Sequence, residues 1–478
     1  MRSFISTSIP YVNAYPHLGH ALEFVQADVL VRYRRLMGGD VFFLTGTDEN
    51  ALKNVQAARE AGVTVPTFVE ERAEAFKRLA AKLSVATDGF IRTTEKRHFD
   101  GAQKLWQALD PNDVYKKAYS GLYCVGCEEF KLERDLVGGF CPEHPGKKLE
   151  LVEEENYFFR LSRYTEELRT LIVSGKLAVV PDVRKNEALA FIDQGLEDFS
   201  ISRSKERAHG WGVPVPGDEN QIMFVWVDAL SNYINALGYS TDDEMFSRYW
   251  REAENITHVI GKGINRFHTL YWPALLLSAK VRVPDTVFVH GYITVGGQKM
   301  SKTIGNVVDP FALLEKYGTD ALRYFFVRDL PTFEDGDFTE EKFIASYNAN
   351  LANGLGNLVA RVMKLAETHL EAPVVLEQGI FDTAVSGEYE THMKSLQLQK
   401  AADVIWGRIR ASDEYVTKER PFEKIATDSD GAKKDITHLV RELACVAHML
   451  VPFLPDTAEK IKTAIKENKK PETLFKRV

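Results

Sequence analysis

The sequence has few cysteines and no long apolar stretch. Only four of its 478 residues are cysteine, which is too sparse for the dense disulfide framework of a small secreted protein. No apolar run approaches the ~20 residues that a membrane-spanning helix needs. The opening Met1–Ile5 lacks the basic, apolar and small-residue pattern of a signal peptide. These absences predict a cytoplasmic protein without a membrane segment.

The chain also lacks the basic excess that many nucleic-acid-binding proteins carry. Its formal net charge is -8, with 60 lysines and arginines against 68 aspartates and glutamates. A global sum does not exclude an RNA-binding face, because large enzymes can confine basic charge to one surface. The tail after Lys460 is locally basic, and it is equally consistent with a solvated helix end. By length, the chain should form about three domains.

Alternating strand and helix patterns predict an α/β fold with a doubly wound parallel sheet of the Rossmann type. Phe4–Ile9 is a short apolar strand, helical periodicity follows over 18–37, and Val41–Leu44 is a second strand. After a segment of different character, the apolar strands Ile256–Gly261 and Thr286–Gly291 return, each with a glycine at its end. The sheet is therefore predicted to be split by an insertion.

Shifts in composition divide the chain into five predicted regions. Beyond residue 338, long amphipathic helical patterns run over 340–369, 388–418 and 433–448, with another after Pro455, and they indicate a C-terminal α-helical bundle. The regions are 1–110 (first half of the Rossmann-type domain, predicted to be catalytic), 111–215 (connective insertion), 216–291 (second half of that domain), 292–340 (a Gly- and Lys-rich loop with a linking region) and 341–478 (helical domain).

A histidine pair lies at the turn from the first strand into the first helix. In His17-Leu18-Gly19-His20 the two imidazoles fall on the same side of the first helical turn. A helix N-terminus suits phosphate, Gly19 lets a nucleotide approach the backbone, and the imidazoles can donate to phosphate oxygens. The alternative is a capped helix start with an incidental histidine pair.

A second string lies nearly three hundred residues later. Two lysines with neighbouring hydroxyls follow two glycines in Gly296-Gly297-Gln298-Lys299-Met300-Ser301-Lys302-Thr303. Lysine is a mobile point charge suited to phosphates, and glycines give a loop the freedom to close over ATP. A charged surface loop is the alternative. Together, the two strings predict a site that holds a nucleotide triphosphate from two sides.

Three of the four cysteines crowd into the insertion. Cys124 and Cys127 are followed by Cys141 and His144, a spacing that predicts a closed tetrahedral Cys₃His zinc site with a structural role. Free buried cysteines are the alternative. Cys445, in an apolar helical pattern, is predicted to be a core residue.

The strings HLGH and KMSKT resemble the HIGH and KMSKS signatures of class I aminoacyl-tRNA synthetases, with Thr303 in place of the usual serine. The resemblance implies attack of an amino-acid carboxylate on the α-phosphate of ATP, with Mg²⁺ bound by the triphosphate. It also implies catalytic roles for His17, His20, Asp48, Arg203, Lys299 and Lys302. The implied ATP-binding residues are His17, Gly19, His20, Gly261, Lys262, His290, Gly291, Lys299 and Lys302.

Within that class the sequence resembles methionyl-tRNA synthetases. The resemblance rests on a single zinc knuckle in a short insertion and on three strings, namely 9–13 (IPYVN), 224–233 (FVWVDALSNY) and 259–273 (VIGKGINRFHTLYWP). It implies that Asp48 pairs with the methionine ammonium, although Asp48 also suits a helix N-cap. The implied methionine-binding residues are Ile9, Tyr11, Asp48, Trp226, Ala229, Tyr233, Ile264, His268 and Trp272.

The resemblance extends to the helical C-terminus, which is similar to the family's anticodon-binding domain. It implies anticodon contacts by Asn348, Asn353 and Phe422, the last of which stands where the family commonly has tryptophan. The implied partners are ATP, L-methionine and tRNA(Met), for a chain expected to be a monomer. Two other classes are considered: a small-molecule nucleotidyltransferase, which also carries HxGH, and a tRNA-binding scaffold that has lost catalysis.

Overall fold

A computed structural model describes residues 1–127, 129–142, 148–300 and 305–478. The chain forms two compact units. The first comprises 1–16, 39–79 and 87–290, and the second comprises 17–38, 80–86 and 291–478. Among the described residues, no helix is both long enough and apolar enough to cross a membrane. The five predicted regions remain a prediction about domain boundaries.

The elements follow one another along the chain as strands and helices of ordinary length. The strands are β1 Arg2–Thr7, β2 Asp40–Thr47, β3 Gly89–Arg92, β4 Val114–Cys124, β5 Glu129–Lys131, β6 Glu150–Phe159, β7 Ala178–Val180, β8 Phe199–Ser200, β9 Ser202–Ser204, β10 Pro214–Val215, β11 Asp218–Met223, β12 Asn255–Gly261, β13 Thr286–His290, β14 Ile293–Val295, β15 Gln298–Lys299 and β16 Gly336–Phe338. The α-helices are α1 Leu18–Leu36, α2 Leu52–Glu60, α3 Val65–Lys82, α4 Lys96–Ala108, α5 Thr165–Ser174, α6 Asp182–Asp193, α7 Val225–Asn235, α8 Glu244–Phe246, α9 Trp272–Ser278, α10 Pro310–Tyr317, α11 Thr319–Tyr324, α12 Glu340–Ser346, α13 Asn357–His369, α14 Gln378–Val385, α15 Glu388–Lys394, α16 Leu398–Glu419, α17 Pro421–Lys424, α18 Ser429–Leu450 and α19 Pro455–Glu467.

The first unit is built on a six-stranded sheet with the order β3-β2-β1-β12-β13-β7. Every pairing in it is parallel. The central strands are buried almost throughout, which explains why they appear in the sequence as continuous apolar runs rather than alternating ones. The predicted doubly wound parallel sheet is confirmed. Its strand order reverses between β1 and β12, the position where such folds bind ligands.

Between β3 and β12 the chain forms two separate antiparallel sheets with the orders β5-β4-β6-β8 and β10-β11-β9, and the second includes β11, which lies beyond residue 215. Much of β4 and β6 is exposed or only partly buried, as is common for antiparallel strands with one solvent-facing side. One strand of this segment nevertheless joins the main sheet, because β7 pairs with β13 at the edge. The segment is therefore an insertion that also supplies the last strand of the parallel sheet.

The second unit contains a C-terminal helical bundle, as the amphipathic patterns predict. The pattern over 340–369 is continuous helix, with a π-helical stretch at Tyr347–Gly356 between α12 and α13. The pattern over 388–418 corresponds instead to two helices, α15 and α16. The helical conformation is interrupted between them, where Leu396 has a φ of 61°. Helix α14 was not predicted, because its eight residues carry too few apolar repeats to show a period.

A buried ion pair holds the second unit together. Arg323 of α11 and Asp28 of α1 are both fully buried, with 2.7 Å between the guanidinium Nη1 and the carboxylate Oδ2. The same guanidinium donates to the carbonyls of Pro452 and Phe453, each at 2.8 Å, and to that of Leu83 at 3.0 Å. Three separate segments thus meet at one side chain, and its charge is fully compensated.

We expect Arg323→Met to destabilise the protein by about 3–5 kcal/mol, because three buried carbonyls lose their charged donor and Asp28 keeps one cation, Arg32, in place of two. Urea unfolding of the purified variant measures the change in free energy of unfolding. The control is Arg441→Met, on the exposed face of α18, for which we expect a change below about 0.5 kcal/mol. A loss below about 1 kcal/mol for Arg323→Met would show that the pair contributes little.

Candidate functional site

The carboxyl end of β2 places Asp48 beside Tyr11. The two residues form an isolated parallel bridge just beyond β1 and β2, and the Asp48 amide donates to Pro10 at 2.9 Å. The Asp48 carbonyl accepts a 3.0 Å hydrogen bond from the buried Asn54 amide. With 2% of its surface exposed, Asp48 is a carboxylate held in the protein interior. A carboxylate in such surroundings attracts a cation more strongly than one in water does.

The N-cap interpretation of Asp48 is wrong. Helix α2 begins at Leu52, its N-cap is Ala51, and no side chain caps it. Asp48 lies three residues before that N-cap position. Its carboxylate is thus not committed to the role that aspartate often takes at this kind of strand-to-helix turn.

Tyr233, His268 and Trp272 form one cluster. The Tyr233 hydroxyl lies 2.7 Å from His268 Nε2, and His268 Nδ1 lies 3.0 Å from the Ile264 carbonyl. Because a carbonyl accepts only, His268 carries its proton on Nδ1, and Nε2 accepts from the tyrosine. The rings of Tyr233 and Trp272 lie 6.1 Å apart. The result is an aromatic wall with one hydroxyl and one imidazole whose orientations are fixed.

Tyr11 and Trp226 form a second aromatic pair, edge to face at 6.1 Å. Phe267 stacks on Trp226 with 3.7 Å between ring centroids and 7° between planes. Sequence reasoning missed Phe267, and it also missed His258, which lies 4.0 Å from the Tyr233 ring. Phe267 adjoins the predicted His268 in the chain, and this adjacency was the only available signal. His258 lies inside a buried strand, where nothing distinguishes it from a core residue.

The remaining predicted pocket residues lie in the same unit. Ala229 is buried on α7 between Trp226 and Tyr233, while Ile9 and Ile264 are partly buried against the same core. Arg203 lies on β9, with 6% of its surface exposed, and its guanidinium donates to the Tyr123 hydroxyl at 3.2 Å. All nine residues predicted to bind methionine thus belong to the first unit.

His17 and His20 begin α1 in the second unit and cap it reciprocally. His17 Nδ1 accepts from the Gly19 amide at 3.0 Å, and His20 Nδ1 accepts from the His17 amide at 3.1 Å. The two rings stack at 3.9 Å, an arrangement that two cations would resist. Desolvation lowers the pKa of His17 to about 4. Both imidazoles are therefore neutral at pH 7 with the proton on Nε2, the atom that can donate to a phosphate.

Gly19 makes this arrangement possible. A Cβ at this position would lie 2.9 Å from His17 Cε1 and 3.1 Å from His17 Nδ1, closer than real Cβ atoms approach. The glycine thus gives clearance to the histidine ring, in addition to the open backbone that the sequence analysis expects. The alternative of a capped helix start is also correct in part, because the histidines are the caps.

Lys299 ends a short hairpin in the second unit. Gly296 and Gly297 join β14 to β15 with φ values of 60° and 76°, the conformation of a two-residue hairpin turn. Asp337 accepts from the Gly297 amide at 2.7 Å, which is the main cause of a lowered Asp337 pKa. The Lys299 ammonium lies 5.1 Å from the Tyr292 ring centroid. Lys302 lies outside the described residues.

The other predicted ATP-binding residues end neighbouring strands. Gly261 and His290 are paired at the ends of β12 and β13, and Lys262 follows directly in a 3₁₀ turn. In the second unit, a Cβ on Gly291 would lie 2.1 Å from the Glu334 carbonyl oxygen. Gly291 is therefore required where two backbone segments approach closely, a structural role that requires no ligand.

Cys124, Cys127 and Cys141 lie close enough to hold one metal ion. Their sulfurs are all within 4.8 Å of one another, and those of Cys127 and Cys141 are 3.4 Å apart. Desolvation, with a contribution from the neighbouring thiols, raises the pKa of Cys127 to about 12. Such a group becomes a thiolate only with a cation to compensate it, so the residues fit a metal. The predicted fourth ligand, His144, lies outside the described residues. Cys445 is buried in α18, as predicted.

This cysteine turn contacts the aromatic residues of the predicted methionine pocket. The Trp226 indole donates to the Cys127 carbonyl at 3.3 Å. Lys53 donates to the Gly126 carbonyl at 3.1 Å while its ammonium lies 3.3 Å from the Tyr11 ring centroid. The conformation of the turn therefore bears on where Trp226 and Tyr11 are held.

The predicted anticodon residues lie in the second unit in two different surroundings. Asn348 exchanges hydrogen bonds with Val478, at 2.7 and 3.1 Å, and Asn353 accepts from Arg477 at 2.6 Å. Phe422 is 46% exposed at the start of α17. Phe422 is thus partly exposed, with the Arg420 guanidinium 5.9 Å from its ring centroid, whereas the asparagines are engaged by the C-terminal residues.

Comparison with known proteins agrees with this arrangement. The chain matches the family model of class I tRNA synthetases (M) over residues 3–150 and 143–363. It matches the anticodon binding domain of methionyl tRNA ligase over residues 378–474. The parallel sheet, the HLGH helix start and the Lys299 hairpin therefore belong to a class I aminoacyl-tRNA synthetase.

Individual relatives narrow this assignment. Methionine–tRNA ligases of Thermotoga maritima and Brucella suis are 40% and 41% identical, over 98% and 96% of this chain and 76% and 90% of those proteins. Mycobacterium tuberculosis methionyl-tRNA synthetase in complex with methionyl-adenylate has a TM-score of 0.88 and 36% identity, over 96% of this chain and 93% of that one. The chain belongs to the methionyl-tRNA synthetase family.

We expect the His17 imidazole to titrate with a midpoint near pH 4 in the folded protein. An unfolded histidine titrates near 6.5, so the folded state resists protonation and stability falls as pH drops from about 6.5 towards 4. NMR titration of the histidine Cε1 protons measures the midpoint. The resonance is assigned by its loss in His17→Asn, and a midpoint above about 6 would contradict a desolvated neutral ring.

Proposed function

We propose that the residues described above carry out the family's reaction. Methionine is activated with ATP to methionyl-adenylate and pyrophosphate, and is then transferred to the 3′ end of tRNA(Met). This acylates the tRNA for initiation and elongation of translation. The observation that supports the residue assignment best is the buried Asp48, whose backbone pairs with that of Tyr11, with aromatic side chains in the same unit.

Methionine is recognised at both of its ends. Asp48 pairs with the α-ammonium group, since a buried carboxylate favours a cation over a neutral partner. The thioether packs against Tyr11, Trp226 and Trp272, because sulfur is polarisable and gains from contact with aromatic edges. Ile9, Ala229 and Ile264 complete the apolar lining, and the Tyr233–His268 pair supplies a fixed polar end.

ATP is activated by charge and orientation rather than by an acid or a base. The methionine carboxylate is already a nucleophile, so the protein has to position it and stabilise the charge that develops on the α-phosphate. The Nε2–H groups of His17 and His20 donate to phosphate oxygens, and Lys299 and Lys302 add positive charge. Arg203, Gly261, Lys262, His290 and Gly291 contribute further contacts to the reacting groups.

We propose a structural zinc ion for the cysteine cluster. Three cysteine sulfurs with His144 as the fourth ligand make a donor set that zinc prefers, with no open position for catalysis. Mg²⁺ enters with ATP, held mainly by the triphosphate. The zinc stabilises the turn at residues 124–127, and neither metal requires a catalytic protein ligand.

The helical region 341–478 is proposed to bind the anticodon. Phe422 presents an exposed ring on which a base can stack, and Asn348 and Asn353 can read base edges once the C-terminal residues release them. We also propose that the protein is a monomer and acts in the cytoplasm. A tRNA-binding scaffold that has lost catalysis is disfavoured, because the sequence retains His17, His20, Lys299 and Lys302. A small nucleotidyltransferase is disfavoured by the anticodon-domain match.

ATP–pyrophosphate exchange with each of the twenty amino acids tests the assignment. We expect exchange with methionine alone, and methionylation of tRNA(Met) but not of a tRNA with another anticodon. Asp48→Ala should raise the KM for methionine by at least about a hundredfold, because it removes the counter-ion of the ammonium group. Exchange that responds to another amino acid and not to methionine would refute the proposal.

We expect Cys127→Ser to lower the zinc content and to raise the KM for methionine. Without zinc the turn at residues 124–127 is held less firmly, and the Cys127 carbonyl in this turn accepts from the Trp226 indole. Elemental analysis of the purified protein measures zinc, and the exchange assay measures KM. The control is Cys445→Ser, which changes the cysteine outside the cluster and should leave both quantities unchanged. One zinc per chain in Cys127→Ser would show that Cys127 is not a ligand.

A further inference from the structure

Helices α4 and α7 pack against each other through polar groups. All eleven residues of α7 are buried, and the face of α4 that meets it includes the buried His98 and Gly101. His98 Nε2 donates to Asp228 Oδ1, and the two side chains are 0% and 1% exposed. Burying a carboxylate in the core costs free energy even when it is hydrogen-bonded. The presence of Asp228 between two helices therefore calls for an explanation.

The other oxygen of the same carboxylate is bonded to a different segment. Asn50 Nδ2 donates to Asp228 Oδ2 at 2.8 Å and to the Thr93 carbonyl at 3.0 Å. Asn50 lies two residues after Asp48 in the turn that leaves β2. Asp228 therefore connects α7 to α4 through one oxygen and to the segment of Asp48 through the other.

A second polar contact lies two helical turns further along α7. Asn235 Nδ2 donates to the His98 carbonyl at 3.2 Å and to Ser231 Oγ at 2.8 Å. A Cβ on Gly101 would lie 2.1 Å from Asn235 Oδ1, so the two helices approach each other as closely as glycine allows. Directional bonds at residues 228 and 235 fix how far α7 can slide along α4, which apolar contacts alone would not.

Helix α7 carries Trp226, Ala229 and Tyr233, which the proposed function places against the methionine side chain. We propose that His98 and Asp228 are positioning residues for methionine recognition. They hold α7 in register with residues 48–50, and thereby set the separation between the Asp48 carboxylate and these three side chains. The inference rests on the proposed methionine pocket and adds to it two residues that touch no substrate.

Asp228→Asn tests the inference with almost no change of shape. The amide keeps one acceptor oxygen but turns a donor towards either His98 or Asn50, so the register is no longer fixed from both sides. We expect the KM for methionine to rise about tenfold, with kcat and the KM for ATP changed by less than about twofold. Exclusion of norleucine, which replaces the sulfur by a methylene group, should weaken in the same exchange assay.

Asp113→Asn is the matched control. Asp113 is a buried aspartate of the same unit, bonded to Arg163, Tyr164 and Ser278 and not to α7. Asp113→Asn should reduce the free energy of unfolding in urea about as much as Asp228→Asn does, while leaving the KM for methionine unchanged. An equal rise in KM for both variants would show that general loosening of the unit, and not register, controls methionine binding.

His98→Gln keeps the inference testable if Asp228→Asn does not fold. Glutamine retains an N–H donor for Asp228, so the KM for methionine should stay within about threefold, while His98→Leu should match Asp228→Asn. An unchanged KM for methionine in both Asp228→Asn and His98→Leu would overturn this inference and leave the proposed function standing. If the wild-type enzyme shows no methionine-dependent exchange, the proposed function fails instead.

Discussion

Strands β1 and β12 hydrogen-bond to each other in parallel, with Phe4 opposite Ile256 and Thr7 opposite Val259. Residues separated by about 250 positions in the chain thus end at one edge of the sheet. Tyr11 follows β1, whereas Ile264 and His268 follow β12, so this pairing assembles the predicted methionine residues. Pairing segments so far apart costs the conformational entropy of closing a long loop. Burial of the apolar side chains of both strands offsets this cost. The site therefore depends on strands that contain almost none of its chemistry.

At the start of α1, the two imidazoles that cap the helix are also the phosphate donors of the proposed function. His17 and His20 accept from the backbone N–H groups of Gly19 and His17 with Nδ1, which leaves the proton of each ring on Nε2. Gly19 is required because any side chain would strike the His17 ring. The HLGH string thus caps the helix in a way that is compatible with the proposed phosphate contacts, so functional and structural interpretations of it do not compete.

Local patterns were sufficient to predict the parallel sheet, the insertion and the C-terminal helices, because buried strands and amphipathic helices carry their period in the sequence. The cysteine spacing was sufficient for the metal-binding cluster. Contacts between distant segments were beyond reach. Nothing in the sequence shows that Phe267 stacks on Trp226, that β7 completes the sheet, or that the C-terminal residues engage Asn348. The Asp48 N-cap failed because aspartate after a strand suits either role, and only the start of α2 decides between them.

Two buried carboxylates show what polar groups can do inside such a protein. Asp28 meets a full cation, Arg323, where three backbone segments converge, and there compensation of charge is sufficient to explain the contact. Asp228 meets two hydrogen-bond donors from separate segments, His98 and Asn50. Directional bonds of that kind add little net stability, but they exclude neighbouring helix registers. In the proposed function, α7 has to hold Trp226, Ala229 and Tyr233 at one fixed distance from Asp48. This requires that other registers of the helix are excluded.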